Sequence, residues 1–188
     1  MLKKSDITAR CKKNLPAYLI LLAISAVLVT LDQISKYIAV QNLPKDDPEP
    51  IKVIPYLFNF TFVRNEGAAW GILKDNRWIF IAVSGIAIAA IAAVLLYTAR
   101  SRKFFVASLV LIFAGGIGNM IDRIANGYVA DFIQFAFWQS FPVFNVADSY
   151  VTVGGAMLVI YVLFIDKSFL FKKKNGNGNE DKNGTAAA

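Results

Sequence analysis

The chain has 188 residues, 56% of them hydrophobic and 18% charged, with a mean hydropathy of +0.50, which is too apolar for an ordinary soluble domain. Its single cysteine, Cys11, excludes an internal disulfide, and the absence of histidine removes the commonest general base and metal ligand. A net charge of +7 does not mark a nucleic-acid partner, because the basic residues flank apolar runs instead of lining one continuous face.

Four apolar runs follow one another, near Tyr18 to Tyr37, Trp78 to Tyr97, Phe104 to Ile121 and Val146 to Ile165. Each is close to the ~20 residues that cross a bilayer core as helix. The first exceeds the ~7 to 15 apolar residues of a cleaved signal peptide and carries Asp32 and Lys36, so it is expected to remain in the mature protein. Between the first and second runs, Phe58, Asn59, Phe60, Thr61 and Phe62 alternate with period two, which predicts a strand with one apolar face on the membrane surface. The expected fold is therefore a mainly α membrane protein, a bundle of four transmembrane helices with a small outer-face β-sheet between helices one and two.

Orientation is expected from the basic flanks. Lys3, Lys4, Arg10, Lys12 and Lys13 precede helix one, Arg100, Arg102 and Lys103 separate helices two and three, and Lys167, Lys172, Lys173 and Lys174 follow helix four. The segment from Ile124 to Asn145 has no lysine or arginine. Both termini are thus expected in the cytoplasm. Residues 1–171 read as one membrane-embedded domain, and 172–188, rich in Asn, Gly and Lys, as a disordered cytoplasmic tail. Cys11 is assigned no role. Gly115, Gly116 and Gly118, and the pair Gly154 and Gly155, predict close helix packing in lipid.

Charges inside membrane segments are costly and usually face the protein interior. Asp32, about five residues from the expected end of helix one, has Lys36 at i+4, which suits a local ion pair near the interface. Asn119, Asp122 and Arg123 fall on one stripe of helix three, either a bracing network or part of a site. Asn145 and Asp148 have the spacing of a variant capping box at the start of helix four. Asp131 stands in the expected outer loop before that helix, between Val129, Ala130, Phe132 and Ile133, a setting that a solvated carboxylate would not require. If Asp131 and Asp148 meet in a poorly hydrated site, they share one proton and present an acid and a base together. Such a pair suits peptide hydrolysis by an activated water. Spacing alone leaves open a proton or ion carrier built on the same acids, and a scaffold whose acids only cap and brace.

Four segments carry a resemblance: Asp32-Gln33-Ile34-Ser35-Lys36, Asn65-Glu66-Gly67-Ala68-Ala69-Trp70-Gly71, Gly115 to Arg123 continuing through Gly127, Val129, Asp131, Phe132 and Ile133, and Phe141 to Ser149. In these motifs and their order, over about Ala17 to Ile165, the chain resembles lipoprotein signal peptidase, the signal peptidase II family of membrane aspartyl proteases. One departure is Trp70, where many relatives carry phenylalanine. The resemblance implies an endopeptidase of the bacterial cytoplasmic (inner) membrane, active near its outer face. It would cut prolipoproteins before a diacylglyceryl-modified cysteine, with membrane lipids around it, as a monomer. It implies catalytic roles for Asp131 and Asp148, and supporting or substrate-binding roles for Asp32, Lys36, Asn65, Gly67, Asn119, Asp122, Arg123 and Asn145. No cofactor and no metal are implied, water being the nucleophile. Within the pair, the free N–H groups of a helix's first turn suit a carboxylate at Asp148, so Asp131 is expected to hold the resting proton and Asp148 to activate the water.

Overall fold

The computed structural model describes residues 4–44, 49–67, 76–98 and 102–166, with side chains from residue 13 onward in the first helix. Ala68 to Gly71 of the second motif, the Cys11 side chain, several of the basic flanking residues and the tail 172–188 lie outside the described residues. The element order is α1 (Lys4–Asn42), β1 (Ile51–Ile54), β2 (Phe58–Asn65), α2 (Arg77–Thr98), α3 (Lys103–Ala125), β3 (Val129–Phe135) and α4 (Val146–Ile160), which ends in a π-helical turn, Tyr161–Ile165.

Four helical stretches are long and apolar enough to span a membrane, Lys13–Asn42, Arg77–Thr98, Lys103–Ala125 and Val146–Ile165. Their burial differs: 39% of the apolar window of α3 is inside the protein, against 6% for α1 and α2 and 11% for α4. Helix α3 is therefore the central post. The outward faces of the other three carry exposed apolar side chains such as Leu22, Ile86 and Val159, as suits helices surrounded by lipid. A small core of Leu95, Val106, Leu109 and Val110 fixes α2 against α3. Close approach supplies the rest. A Cβ on Gly154 of α4 would lie 2.7 Å from the Ser108 carbonyl oxygen of α3, and one on Gly118 would overlap the Asp32 carboxylate. Gly155, expected to share that packing, instead borders open space, and a Cβ there would meet nothing within 4 Å. At the end of the bundle away from the sheet, Arg102 pairs with Asp166, and Tyr161 donates to the same carboxylate at 3.3 Å.

The sheet departs from expectation. It has three antiparallel strands in the order β1-β2-β3, so it draws on the segment between α3 and α4 as well as that between α1 and α2. Asp131, expected in a loop, lies on β3 opposite Val63 of β2. Val129, Ala130, Asp131 and Phe132 are all buried, so both faces of β3 are covered and no period-two pattern marks it. Phe58 stacks on Phe135 across the strands, with ring centroids 5.4 Å apart, and Phe60 meets Phe132 edge-on. After β3 the chain turns back, and a two-way bridge between Ile133 and Phe144, at 3.0 and 2.8 Å, returns it to the strand just before α4.

Candidate active site

That return bridge places Asn145 beside Asp131. The Asn145 side chain caps α4, accepting from the Asp148 backbone N–H at 2.9 Å, while the Asp148 carboxylate accepts from the Asn145 N–H at 3.2 Å. The capping box expected from the spacing is present. It also does more than cap, because Asn145 Nδ2 donates to Asp131 Oδ1 at 2.6 Å. One asparagine thus holds both carboxylates.

Asp131 is 1% exposed, and its second oxygen accepts from Asn65 Nδ2 at 2.8 Å. Asn65 is itself oriented by the Gly67 backbone N–H, which donates to its Oδ1 at 3.0 Å. Burial pushes the Asp131 carboxyl up to about 7, and the Asp148 charge adds to this; donation from Asn65 and Asn145 and the Lys36 charge hold it back. Asp148 Oδ1 accepts from Asn119 Nδ2 on α3 at 2.7 Å.

Beneath the two carboxylates lies a second buried cluster. Lys36 Nζ is 2.9 Å from Asp32 and 3.2 Å from Asp122, and it donates to Asn119 Oδ1 at 2.9 Å. Asp32 and Lys36 are 0% and 3% exposed, and α1 runs on to Asn42, so the pair expected near an interface is instead enclosed in the bundle. Its other partners arrive from α3 and α4, which spacing along α1 does not reveal. Asp32 Oδ1 accepts from the Ala147 N–H at 2.9 Å, and Asp122 Oδ2 from the Ala130 N–H at 3.1 Å. Each aspartate therefore ties a helix to the backbone next to a candidate catalytic residue. Gln33, which the expected site does not include, donates to Asp32, to the Gly118 carbonyl and to Asp122 at 3.1 to 3.2 Å. The signal for it is the polar density of Asp32-Gln33-Ile34-Ser35-Lys36 inside an apolar helix. Arg123 donates to the Gly67 carbonyl at 3.2 Å and lies over the Phe80 ring, 4.9 Å from its centroid.

Asp131 and Asp148 open onto one cavity of about 740 Å³, within the size range of ligand sites. Asn65 and Arg123 add polar groups to its wall, and Phe58, Phe80, Phe135, Phe141, Phe144 and Val153 make most of the remainder apolar. The aromatic residues of this wall, Phe58 included, are not among the expected site residues. All eight expected supporting residues converge here: Asn65, Gly67, Asn119, Arg123 and Asn145 around the carboxylates, and Asp32, Lys36 and Asp122 one layer below.

A model of the Signal peptidase (SPase) II family matches residues 24–164. The lipoprotein signal peptidase of Listeria monocytogenes serotype 4a (strain HCC23) is 40% identical over 152 residues, which is 80% of this chain and 94% of that protein. That of Symbiobacterium thermophilum is 39% identical, covering 79% of this chain and 95% of the relative. Among solved structures, a bacterial membrane enzyme determined by the in meso method matches with a TM-score of 0.72 and 35% identity over 83% of this chain and 92% of its own.

Proposed function

This chain belongs to the signal peptidase II family, membrane aspartyl proteases that remove signal peptides from prolipoproteins, and from that premise we propose that Asp131 and Asp148 are its catalytic pair. The observation that carries the assignment is their shared cavity and their shared partner, Asn145. The bond cut is the one before the diacylglyceryl-modified cysteine. A water between the carboxylates loses a proton to ionised Asp148 as its oxygen attacks the carbonyl carbon, while Asp131 gives its proton to the developing oxyanion. In the second half, Asp148 protonates the leaving amine, and Asp131 takes back a proton as the carbonyl re-forms. Atoms balance: the water is consumed, and both carboxyls return to their starting states. The eight supporting residues fix these two groups, and of the eight Asn65 and Arg123 line the cavity.

The apolar wall suits a lipidated cysteine and the apolar part of a signal peptide. Residues 1–171 form the peptidase domain and 172–188 a tail. The enzyme works as a monomer among membrane lipids, in the bacterial inner membrane, with both termini cytoplasmic and the pair near the outer face. Neither the relatives nor the site supports a carrier: Asp32 and Asp122 are locked on Lys36.

Asp131→Asn and Asp148→Asn test the assignment. Each is expected to lower turnover of a diacylglyceryl prolipoprotein by about 10²- to 10⁴-fold or more, the range that general acid-base catalysis contributes. Size-exclusion profile and helix content should match wild type. Near wild-type turnover in either purified variant sinks the pair.

A further inference from the structure

Each oxygen of the two catalytic carboxylates receives one donated hydrogen bond. Asp131 takes Asn145 Nδ2 and Asn65 Nδ2, and Asp148 takes Asn119 Nδ2 and the Asn145 backbone N–H. Three of these four donors are carboxamides, and a carboxamide is reversible: turned over, it presents an oxygen instead. Something must fix each one. Asn65 is fixed by the Gly67 N–H and Asn145 by the Asp148 N–H, both backbone donors. Asn119 is fixed by a side chain, because its Oδ1 accepts from Lys36 Nζ at 2.9 Å, with a longer bond from Asn145 Nδ2 at 3.2 Å.

We propose that Lys36 is a positioning residue for the reaction, whose ammonium holds the Asn119 carboxamide with its oxygen inward and its nitrogen on Asp148. This rests on the assignment of Asp131 and Asp148 as the catalytic pair. An ammonium has three donors and no acceptor, so an amide that faces it must offer oxygen. Two of the three donors already meet Asp32 and Asp122, which more than balance the charge. The third contact, to a neutral amide, is not needed for charge balance. Its effect is directional: Lys36 donates to Asn119, and Asn119 donates to Asp148. With all four oxygens approached by donors, the one proton of the pair has acceptors only across the cleft, on the other carboxylate or the water. That is where attack on the carbonyl needs it. If Asn119 turns over, its oxygen becomes an acceptor for that proton and draws it away from the cleft.

The charged groups that face Asn119 and the pair are Lys36 and Asp32 on α1, Asp122 and Arg123 on α3, Asp131 on β3 and Asp148 on α4. Removing Lys36 alone would strand two buried carboxylates, so the test uses Lys36→Met with Asp32→Asn in the full chain, which leaves the net charge of the cluster unchanged. The variant is assayed with a diacylglyceryl prolipoprotein from pH 4.5 to 9. The expected result is a kcat about 10- to 100-fold below wild type with KM within about twofold, because a positioning loss acts on the reacting state more than on binding, and a rate profile whose acid limb moves to higher pH, because the base loses a donated hydrogen bond that favours its charged form. A folded variant with wild-type kcat and profile overturns the proposal.

In an Asn119→Ala background the same pair of changes should lower kcat by no more than about twofold, since the route through Asn119 is already gone. A full further loss there also overturns it. Should the double variant not fold, Asn119→Asp decides: it keeps an oxygen for Lys36 but cannot donate to Asp148, so wild-type kcat in that variant refutes the relay, and a tenfold or greater fall at unchanged KM supports it. Because Asp131→Asn and Asp148→Asn are measured alongside, loss of activity in those two with none in the Lys36 variant rejects this inference and leaves the catalytic pair standing.

Discussion

At the scale of single residues, the difference between Asp131 and Asp148 is one of surroundings. Asp131 sits on a covered strand among Val129, Ala130 and Phe132, and burial raises its carboxyl to about 7; Asp148 opens the first turn of a helix. A carboxyl raised to about 7 is protonated below that pH and can donate to the oxyanion. It loses the proton, and with it the acid, as pH rises through about 7. Turnover should therefore decline above neutrality, and it should decline again in acid, where the base takes up a proton. The two limbs belong to the pair together. Initial rates from pH 4.5 to 9 with a lipidated substrate check this, and a profile flat from pH 6 to 9 contradicts the assignment of the proton to Asp131. Infrared titration adds the microscopic test. The carboxyl that remains in Asp148→Asn, which is Asp131, should stay protonated to higher pH than the one that remains in Asp131→Asn.

At the scale of elements, legibility follows locality. The four helices are readable because each must bury ~20 apolar residues in lipid, and the Asn145 and Asp148 box because a cap is settled within four residues. Strand β3 is not readable, since a strand covered on both faces loses the alternation that reveals β2. Lys36 is visible as a charge, and its i+4 partner Asp32 follows from spacing, but Asp122 and Asn119 reach it from another helix and only packing brings them there. Gln33 is marked in the sequence only by the polar density around it, and its partners Gly118 and Asp122 likewise reach it from α3. The double duty of Asn145 is open to a direct test at the start of α4. Asn145→Ala removes the cap and the donor to Asp131, and it should lower stability by about 1 to 3 kcal/mol while abolishing turnover. Asn145→Asp keeps an acceptor for the Asp148 N–H but has no amide to donate. Its thermal midpoint should stay nearer wild type while turnover falls as far as in the alanine variant. If stability and activity instead fell in proportion across both variants, Asn145 would be a cap and nothing more.

At the scale of the whole molecule, the site lies where the spanning bundle meets the sheet. Asp148 is three residues beyond Asn145 and two beyond the start of its span, and Asp131 is on the adjoining strand. Around the same end, Tyr56 is 90% exposed and Phe137 and Trp138 are also exposed, side chains that settle at a membrane interface. On the proposed orientation the catalytic pair is expected at headgroup depth, while the apolar wall of the cavity continues along α2 and α4 through Phe80 and Val153. A cysteine whose two acyl chains are dissolved in the leaflet is held at that same depth, with each buried CH₂ contributing about 0.8 kcal/mol to keeping it there. On that proposal the peptide bond before it needs little further search to reach the carboxylates, and affinity is expected to come from lipid and position more than from side chains around the cut. The same prolipoprotein without its diacylglyceryl group has only the signal segment to set its depth, and the scissile bond can slide along the membrane normal. Its kcat/KM should be lower by about 10²-fold or more, as expected for a reacting group misplaced by an ångström or so. The loss should appear in kcat as well as KM, and it should shrink when a single acyl chain is restored to the cysteine. Equal kcat/KM for the lipidated and unlipidated forms, measured in the same lipid, would mean that the enzyme reads sequence and not depth.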